Sequence, residues 1–304
     1  MNDLVIVGAG PAGLNASVYA SRYGLKNIII GGIPGGLVAN THEIGNWLGE
    51  KSISGFDFSR KAMDHAKILG AEIKPAMVDQ IKKDTGGNFE LLLSDGSVVR
   101  SKTVLIATGS KHRNLGVPGE KELLGKGVSY CATCDGFFYK DKVVGIVGGS
   151  DSAVSAAAYM ADIAEKVYII YRKDKLRAEN FWVDNIEKRK NVEIIYNTNI
   201  KEIIGKDKLE KVLLDNPYGG KNELYIDGLF IEIGFAPSIA LAEDLGVETD
   251  EDGYIKVESD GRTSVSGAWA AGDITTGSDK FKQIITAAAE GAIAANSIHN
   301  YLKR

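Results

Sequence analysis

Leu4-Val5-Ile6-Val7-Gly8-Ala9-Gly10-Pro11-Ala12-Gly13 is the stretch on which the fold turns. Four apolar residues with no polar alternate predict a short strand buried on both faces, and the Ala-rich run after the glycines, through about Tyr23, predicts a helix. The turn between them is a dinucleotide fingerprint in its proper context. Gly8 allows the tight turn, Gly10 lets a pyrophosphate approach the backbone, and Gly13 lets the helix pack closely on the strand, with the helix N-terminus facing the phosphates. The next strand, Asn27 to Ile30, ends in Gly31-Gly32 and not in the acidic residue that usually receives a ribose hydroxyl. Gly35-Gly36-Leu37 and Asn46-Trp47-Leu48-Gly49 then form a loop with two readings, a wrap around a large planar ligand or an ordinary loop that buries Trp47.

The strand-turn-helix pattern recurs from Val143, with Gly148-Gly149-Ser150-Asp151-Ser152-Ala153 as its turn and Ala153, Ala157, Met160 and Ala164 on one helical face. Ala153 is an accepted variant of the third glycine, whereas Ser150 puts a Cβ and a hydroxyl where the backbone must meet a pyrophosphate. The strand Lys166 to Ile170 ends in Tyr171-Arg172-Lys173, with Arg177 shortly after. Cations stand where an NAD site would carry an acid, so the pocket is expected to suit the 2′-phosphate of NADP(H); the plain alternative is a solvated basic turn.

Thr103 to Thr108 predicts a further strand closed by Ala107-Thr108-Gly109, while His112 to Glu120, with Pro118 and Gly119, and Gly234-Phe235-Ala236-Pro237 read as hinges. Ala268 to Ala271 is a small strand delivering Gly272-Asp273, where the Asp is placed either for a ligand hydroxyl or for a turn. A helix from about Phe281 to Leu302 is expected to pack through Ile285, Ala289, Ala292 and Ile293. The expected fold class is α/β, with two Rossmann-like dinucleotide-binding domains of the three-layer ββα type, the second inserted in the first. Residues 1–115 and 238–304 would make one domain and 116–237 the other.

Between the two fingerprints lie the only cysteines, in Cys131-Ala132-Thr133-Cys134-Asp135-Gly136. Such a pair cycles between dithiol and disulfide, and a helix start favours one sulfur as thiolate. A zinc site would need two further Cys or His at finger-like spacing, and His42, His65, His112 and His299 are scattered. With 304 residues, 44% of them hydrophobic and 25% charged, the chain is long enough for about two soluble domains. A net charge of −4 without a basic stripe argues against a nucleic-acid partner. Charges such as Glu290 interrupt the apolar stretches, so no segment is expected to span a bilayer. A first strand at Leu4 leaves no room for a secretory signal, so a cytoplasmic location is expected, where a lone Cys-x-x-Cys pair is catalytic.

Taken in order, these motifs resemble the low-molecular-weight thioredoxin reductases over essentially the whole chain. The resemblance implies a homodimeric flavoprotein with FAD in the discontinuous domain and NADPH in the inserted one. Gly8, Gly10, Pro11, Ala12 and Gly13 would then face the FAD pyrophosphate, Gly36, Leu37 and Asn46 the isoalloxazine region, and Gly272 and Asp273 the ribityl chain. Val78, Ala107, Thr108 and Gly109 would complete that site, with Lys282-Gln283-Ile284 standing where the family has Arg-Gln-Ala. On the NADPH side the carry-over falls on Gly148, Gly149, Ser150, Asp151, Ser152, Arg172, Lys173 and Arg177, Tyr171-Arg172-Lys173 replacing His-Arg-Arg.

By the same resemblance Cys134 is the sulfur nearer the flavin and Cys131 the one that attacks a partner disulfide. Asp135 is implied as the general acid-base group, with a helix N-cap as its alternative role. The expected partner is a thioredoxin- or glutaredoxin-like protein, reached by domain rotation at the hinges. Three other readings stand beside this one: the same reductase driven by ferredoxin or a reduced deazaflavin, a flavin dithiol oxidase, and a flavin-binding redox sensor.

Overall fold

The computed structural model describes residues 1–41 and 43–303. The chain divides into two compact units, Met1–Lys111 with Pro237–Arg304, and His112–Ala236. In chain order, the first unit begins with β1 (Asn2–Val7), α1 (Pro11–Arg22), β2 (Asn27–Ile30), α2 (Gly55–Ile68), β3 (Glu72–Lys74), β4 (Val78–Lys83), β5 (Phe89–Leu93) and β6 (Val98–Ile106). After β7 (Ser110–His112) the second unit contains β8 (Val128–Ser129), α3 (Ala132–Asp135), β9 (Val143–Val147), α4 (Asp151–Ala161), β10 (Lys166–Ile170) and α5 (Asn180–Glu187). It continues through β11 (Val192–Ile195), β12 (Ile200–Ile204), β13 (Lys211–Tyr218), β14 (Lys221–Tyr225) and β15 (Gly228–Ile231). The chain then returns through β16 (Phe235–Pro237) to α6 (Ala240–Asp244), β17 (Ala268–Ala270) and α7 (Ile284–Leu302).

In the first unit β3, β2, β1 and the C-terminal half of β6 are parallel, with β17 parallel on the other side of β6. The N-terminal half of β6 pairs antiparallel with β5, and β5 with β4. The pleat sends alternate side chains to opposite faces. Leu4 and Ile6 therefore join the cluster that holds Leu14 of α1 and Ala294 and Ile298 of α7, while Val5 and Val7 join Ile81, Phe89 and Leu91 of the antiparallel ribbon. Both faces are covered, which is why β1 carries no polar alternate.

The packing face of α7 differs from the one expected. Ala287, Ala288, Gly291, Ala294, Ala295 and Ile298 are buried, whereas Ile285 and Ile293 are each 46% exposed and Ala289 is exposed. A Cβ on Gly291 would lie 2.1 Å from the Ala12 carbonyl oxygen of α1. The helices approach to backbone contact, which selects the face of small residues over the face of bulky ones. Periodicity could not choose, because α7 is apolar on nearly every side.

The second unit repeats the plan. Its parallel sheet has the order β11-β10-β9-β15-β8, and β12-β13-β14 form an antiparallel ribbon. Val144 and Ile146 of β9 face the cluster of Ala153, Ala157, Met160 and Ala164, while Val147 faces Val212 and Leu214 of the ribbon. The helical face expected for α4 is thus the buried one. Both units are α/β, each with a parallel sheet between helices and an antiparallel ribbon, as the repeated fingerprint predicts.

Candidate active site

The β1–α1 turn is built by close approach. Gly8 has φ +117°, and a Cβ there would lie 2.1 Å from the Ala107 carbonyl oxygen; one on Gly13 would lie 2.0 Å from the Gly8 carbonyl oxygen. Gly10 has nothing within 4 Å of the same position, so the middle glycine alone faces open space. No side chain caps α1, and Pro11 begins it, leaving the helix N-terminus free for an anion. Gly36, at φ +60°, lies against Gly10, where its Cβ would come within 3.2 Å of the Gly10 Cα, and Leu37 follows it in a short 3₁₀ turn.

Other expected cofactor residues of this unit gather from distant parts of the chain. Asn46 Nδ2 donates to Gln283 Oε1 at 2.9 Å, and Gln283 caps α7 reciprocally with Thr286, so Ile284 opens that helix. Glu290 of α7 accepts from the Gly272 N–H at 2.8 Å and from the Thr275 hydroxyl at 2.9 Å, holding the Gly272-Asp273 turn. Burial raises the Asp273 carboxyl above its ordinary range, with the Lys282 charge opposing the rise and that of Glu290 adding to it. Lys282 hydrogen-bonds the Tyr254 hydroxyl and lies over its ring. The Thr108 hydroxyl donates to the Ser238 carbonyl at 2.9 Å, and Gly109, at φ +62°, follows in open space. Val78 is a buried core residue of β4, and Trp47 is half buried, edge-on to Phe58. An open backbone at Gly10, a free helix N-terminus and a half-buried carboxyl at Asp273 fit a flavin dinucleotide.

In the second unit Cys131 and Cys134 form a disulfide across α3. Cys131 is half buried and Cys134 exposed. The Cys131 sulfur occupies the N-cap position, accepts the Cys134 N–H at 3.2 Å and lies 3.5 Å from the Thr133 hydroxyl, while the Cys131 N–H donates to Ser129 Oγ at 3.0 Å. Ala132 anchors the helix in the α4 cluster. Asp135, half exposed, ends α3 and makes no side-chain cap for the turn that follows. The N-cap role read for Asp135 beside its acid-base role is corrected: the residue takes the N-cap position of the 3₁₀ turn Gly136–Tyr139 without a cap bond, and α3 is capped by Cys131, the residue before its first turn.

The β9–α4 turn lies in the same unit. Ser150 takes the N-cap position with extended backbone and no cap bond from its hydroxyl, and Ser152 sits in the first turn. Asp151 accepts the Glu179 N–H at 2.7 Å, and the Arg177 N–H donates to the Gly149 carbonyl at 2.7 Å. Gly148, at φ +141°, abuts the Glu232 carbonyl. A Cβ on Gly149 would lie 2.6 Å from the Tyr171 ring, whose buried hydroxyl has no partner among the described residues. Arg172, Lys173 and Arg177 are exposed and form no ion pair with any described residue.

Comparison with known proteins assigns this arrangement of turns and disulfide. The profile of the pyridine nucleotide-disulphide oxidoreductase family matches residues 2–291. Thioredoxin reductase of Bacillus subtilis is 41% identical over 304 residues, covering 99% of this chain and 95% of that protein. The crystal structure of T. acidophilum thioredoxin reductase superposes with a TM-score of 0.93 at 40% identity, covering 100% of this chain and 99% of that one. That of Lactococcus lactis thioredoxin reductase also gives 0.93, at 35% identity and the same coverage. The chain belongs to the thioredoxin reductases. It is thus an oxidoreductase of the class that couples a pyridine nucleotide and a flavin to a disulfide. Among the described residues no group of three or more His, Cys, Asp or Glu is placed to hold a metal, and His42 lies outside them. Among the described residues no helix is long and apolar enough to cross a membrane.

Some features of this thioredoxin reductase were not read from its sequence. Phe137 and Phe138, directly after the dithiol helix, are 74% and 70% exposed. Glu120 is buried and accepts the N–H groups of Leu115 and Gly116 and the hydroxyl of Tyr130, the residue before Cys131. Glu232 ends the apolar run Leu229-Phe230-Ile231, and that interruption was the available signal. Burial raises its carboxyl from the ordinary 4.5 to about 8. Between these values the folded, nucleotide-free protein retains a proton that the unfolded chain has released, so stability falls as pH rises through this window and is constant above it. Glu232→Gln should therefore match the parent near pH 4.5 and exceed it by a few kcal/mol above pH 8, at about 1.4 kcal/mol per pKa unit. Denaturant unfolding at pH 5 and pH 9 measures the difference; an equal gain at both would remove the titration of Glu232 as its cause.

Proposed function

We propose that this chain carries electrons from NADPH through FAD to the Cys131–Cys134 disulfide and on to a thioredoxin-like protein. The observation that carries the reading is the disulfide on α3 in the same unit as a second dinucleotide turn flanked by three unpaired cations. FAD would be held by Gly8, Gly10, Pro11, Ala12 and Gly13 at its diphosphate, with Gly272 and Asp273, Gly36, Leu37, Asn46 and the 282–284 segment around the rest of the molecule. When bound, the flavin supplies a hydride acceptor and a two-electron donor. NADPH would lie on the Gly148 to Ser152 turn, its 2′-phosphate met by Arg172, Lys173 and Arg177.

The protein's own chemistry begins once the disulfide has been reduced to two thiols. Cys131 would be the attacking sulfur, with the Cys134 N–H donating to it and the Thr133 hydroxyl beside it. Its attack on the partner disulfide forms a mixed disulfide and expels one partner thiolate, which Asp135 protonates. Cys134 then attacks the Cys131 sulfur, restoring the internal disulfide and releasing the second partner thiol. Exposed Phe137 and Phe138 offer apolar surface beside the attacking sulfur for a protein substrate. A second copy of the chain is a further expected partner, and a cytoplasmic site of action suits a dithiol that must be re-reduced.

Ser150 supports a second reading, in which ferredoxin or a reduced deazaflavin replaces NADPH. Its Cβ stands at the turn where a diphosphate needs bare backbone. Anaerobic mixing of the FAD-loaded protein with NADPH or NADH, followed by flavin absorbance, separates the two. Rapid bleaching by NADPH and slow bleaching by NADH is expected; bleaching by neither would transfer the proposal to the second reading.

A further inference from the structure

The parallel sheet of the second unit has the order β11-β10-β9-β15-β8. A dinucleotide lies across the C-terminal ends of such strands, with its diphosphate at the fingerprint turn. The adenosine end belongs over β10, where Arg172, Lys173 and Arg177 follow the strand. The other half of the molecule must then extend past β9 to the end of β15, and Glu232 stands there.

Its placement is tight. The Glu232 N–H continues the ladder to the Val147 carbonyl at 2.8 Å, and its own carbonyl oxygen lies 2.1 Å from where a Cβ on Gly148 would be. The alternation of β15 puts its side chain on the face of Phe230, which packs with α4, and not on the face of Leu229 and Ile231. The residue is 9% exposed, and its carboxyl forms no hydrogen bond or ion pair with any described residue. The carboxyl is nine-tenths screened from water and has no protein partner among the described residues, which leaves it an unmet hydrogen-bonding demand. A ligand bearing hydrogen-bond donors would relieve it. Nicotinamide riboside carries two ribose hydroxyls and a carboxamide NH₂, and a carboxyl accepts from such groups in either protonation state.

We propose that Glu232 is a ligand-binding residue of the nucleotide site, its carboxyl hydrogen-bonding the nicotinamide riboside half of NADP(H). The assignment rests on the reading of the second unit as the NADPH site. It separates the two halves of the ligand, since Arg172, Lys173 and Arg177 would recognise the phosphorylated adenosine and Glu232 the nicotinamide nucleoside.

The test uses the oxidised, FAD-loaded full chain and two probes that do not reduce it, NADP⁺ and 2′,5′-ADP, titrated by calorimetry. Glu232→Leu and Glu232→Ala should each weaken NADP⁺ by about five- to tenfold, the value of one hydrogen bond, and leave 2′,5′-ADP within about twofold. Glu232→Gln retains a donor and an acceptor and should restore NADP⁺ binding to within about threefold of the parent. Thermal unfolding and flavin content establish that each variant is folded. The assignment is overturned if NADP⁺ is indifferent to Glu232→Leu while the parent binds both probes, or if both probes weaken equally, as a structural role would require. A parent that binds neither probe would overturn the nucleotide reading of the unit and this assignment with it.

Discussion

Replacing Cys134 by serine should abolish thioredoxin-dependent NADPH oxidation, by a factor of about a thousand or more, while flavin bleaching by NADPH persists at the parent rate. The physical reason is the two-electron store itself. Cys131 and Cys134 are the chain's only cysteines and are joined to each other, so no other thiol can take over. Without Cys134 the remaining sulfur cannot resolve a mixed disulfide, and a covalent adduct with the partner should accumulate. Cys131→Ser should lose turnover equally but form no such adduct, because the sulfur that accepts the Cys134 N–H is then gone. Steady-state assay, anaerobic stopped flow and non-reducing electrophoresis read the three quantities. Persistent turnover in either variant would remove the dithiol from the pathway.

Neutralising Arg172, Lys173 and Arg177 together by alanine should raise the KM for NADPH about a hundredfold and leave that for NADH nearly unchanged. All three are exposed and unpaired in the described structure, so their loss breaks no internal ion pair and the fold should tolerate it. Exposed cations are screened, so each contact with a 2′-phosphate is given about 1 kcal/mol, below the usual range for a charged hydrogen bond. Three such contacts amount to about a hundredfold in affinity. The effect should shrink as salt is raised, whereas kcat at saturating NADPH should remain. Equal losses for NADPH and NADH would show that the cluster supports the turn and does not read the phosphate. Selectivity in the parent without loss in the triple variant would move the 2′-phosphate elsewhere.

The two predictions depend on different kinds of legibility. The dithiol and the basic turn are short stretches whose chemistry follows from neighbours in sequence, and both could be named before any packing was known. The same holds for β1, α1 and their repeat in β9 and α4, where apolar strand, glycine turn and helix are contiguous and each local preference agrees with the next. Position 135 was harder. A carboxylate after Cys134 suits an acid-base role, a cap or both, and the cap role fell only when α3 was seen to be capped by Cys131 and Asp135 to make no cap bond.

The amino-acid sequence by itself determined that this is an α/β chain with two dinucleotide turns and one redox pair, because each of those signals spans fewer than about twenty residues and is set by backbone geometry and covalent spacing. Only the tertiary structure decided which face of α7 is buried, since the choice lies in how closely Gly291 can approach Ala12. It alone brought Asn46 to Gln283 across 237 positions and left Phe137 and Phe138 in solvent. It alone placed Glu232 beneath the second glycine turn with an unpartnered carboxyl. Burial and close approach between remote segments are properties of the packed whole, and no spacing rule within one segment contains them.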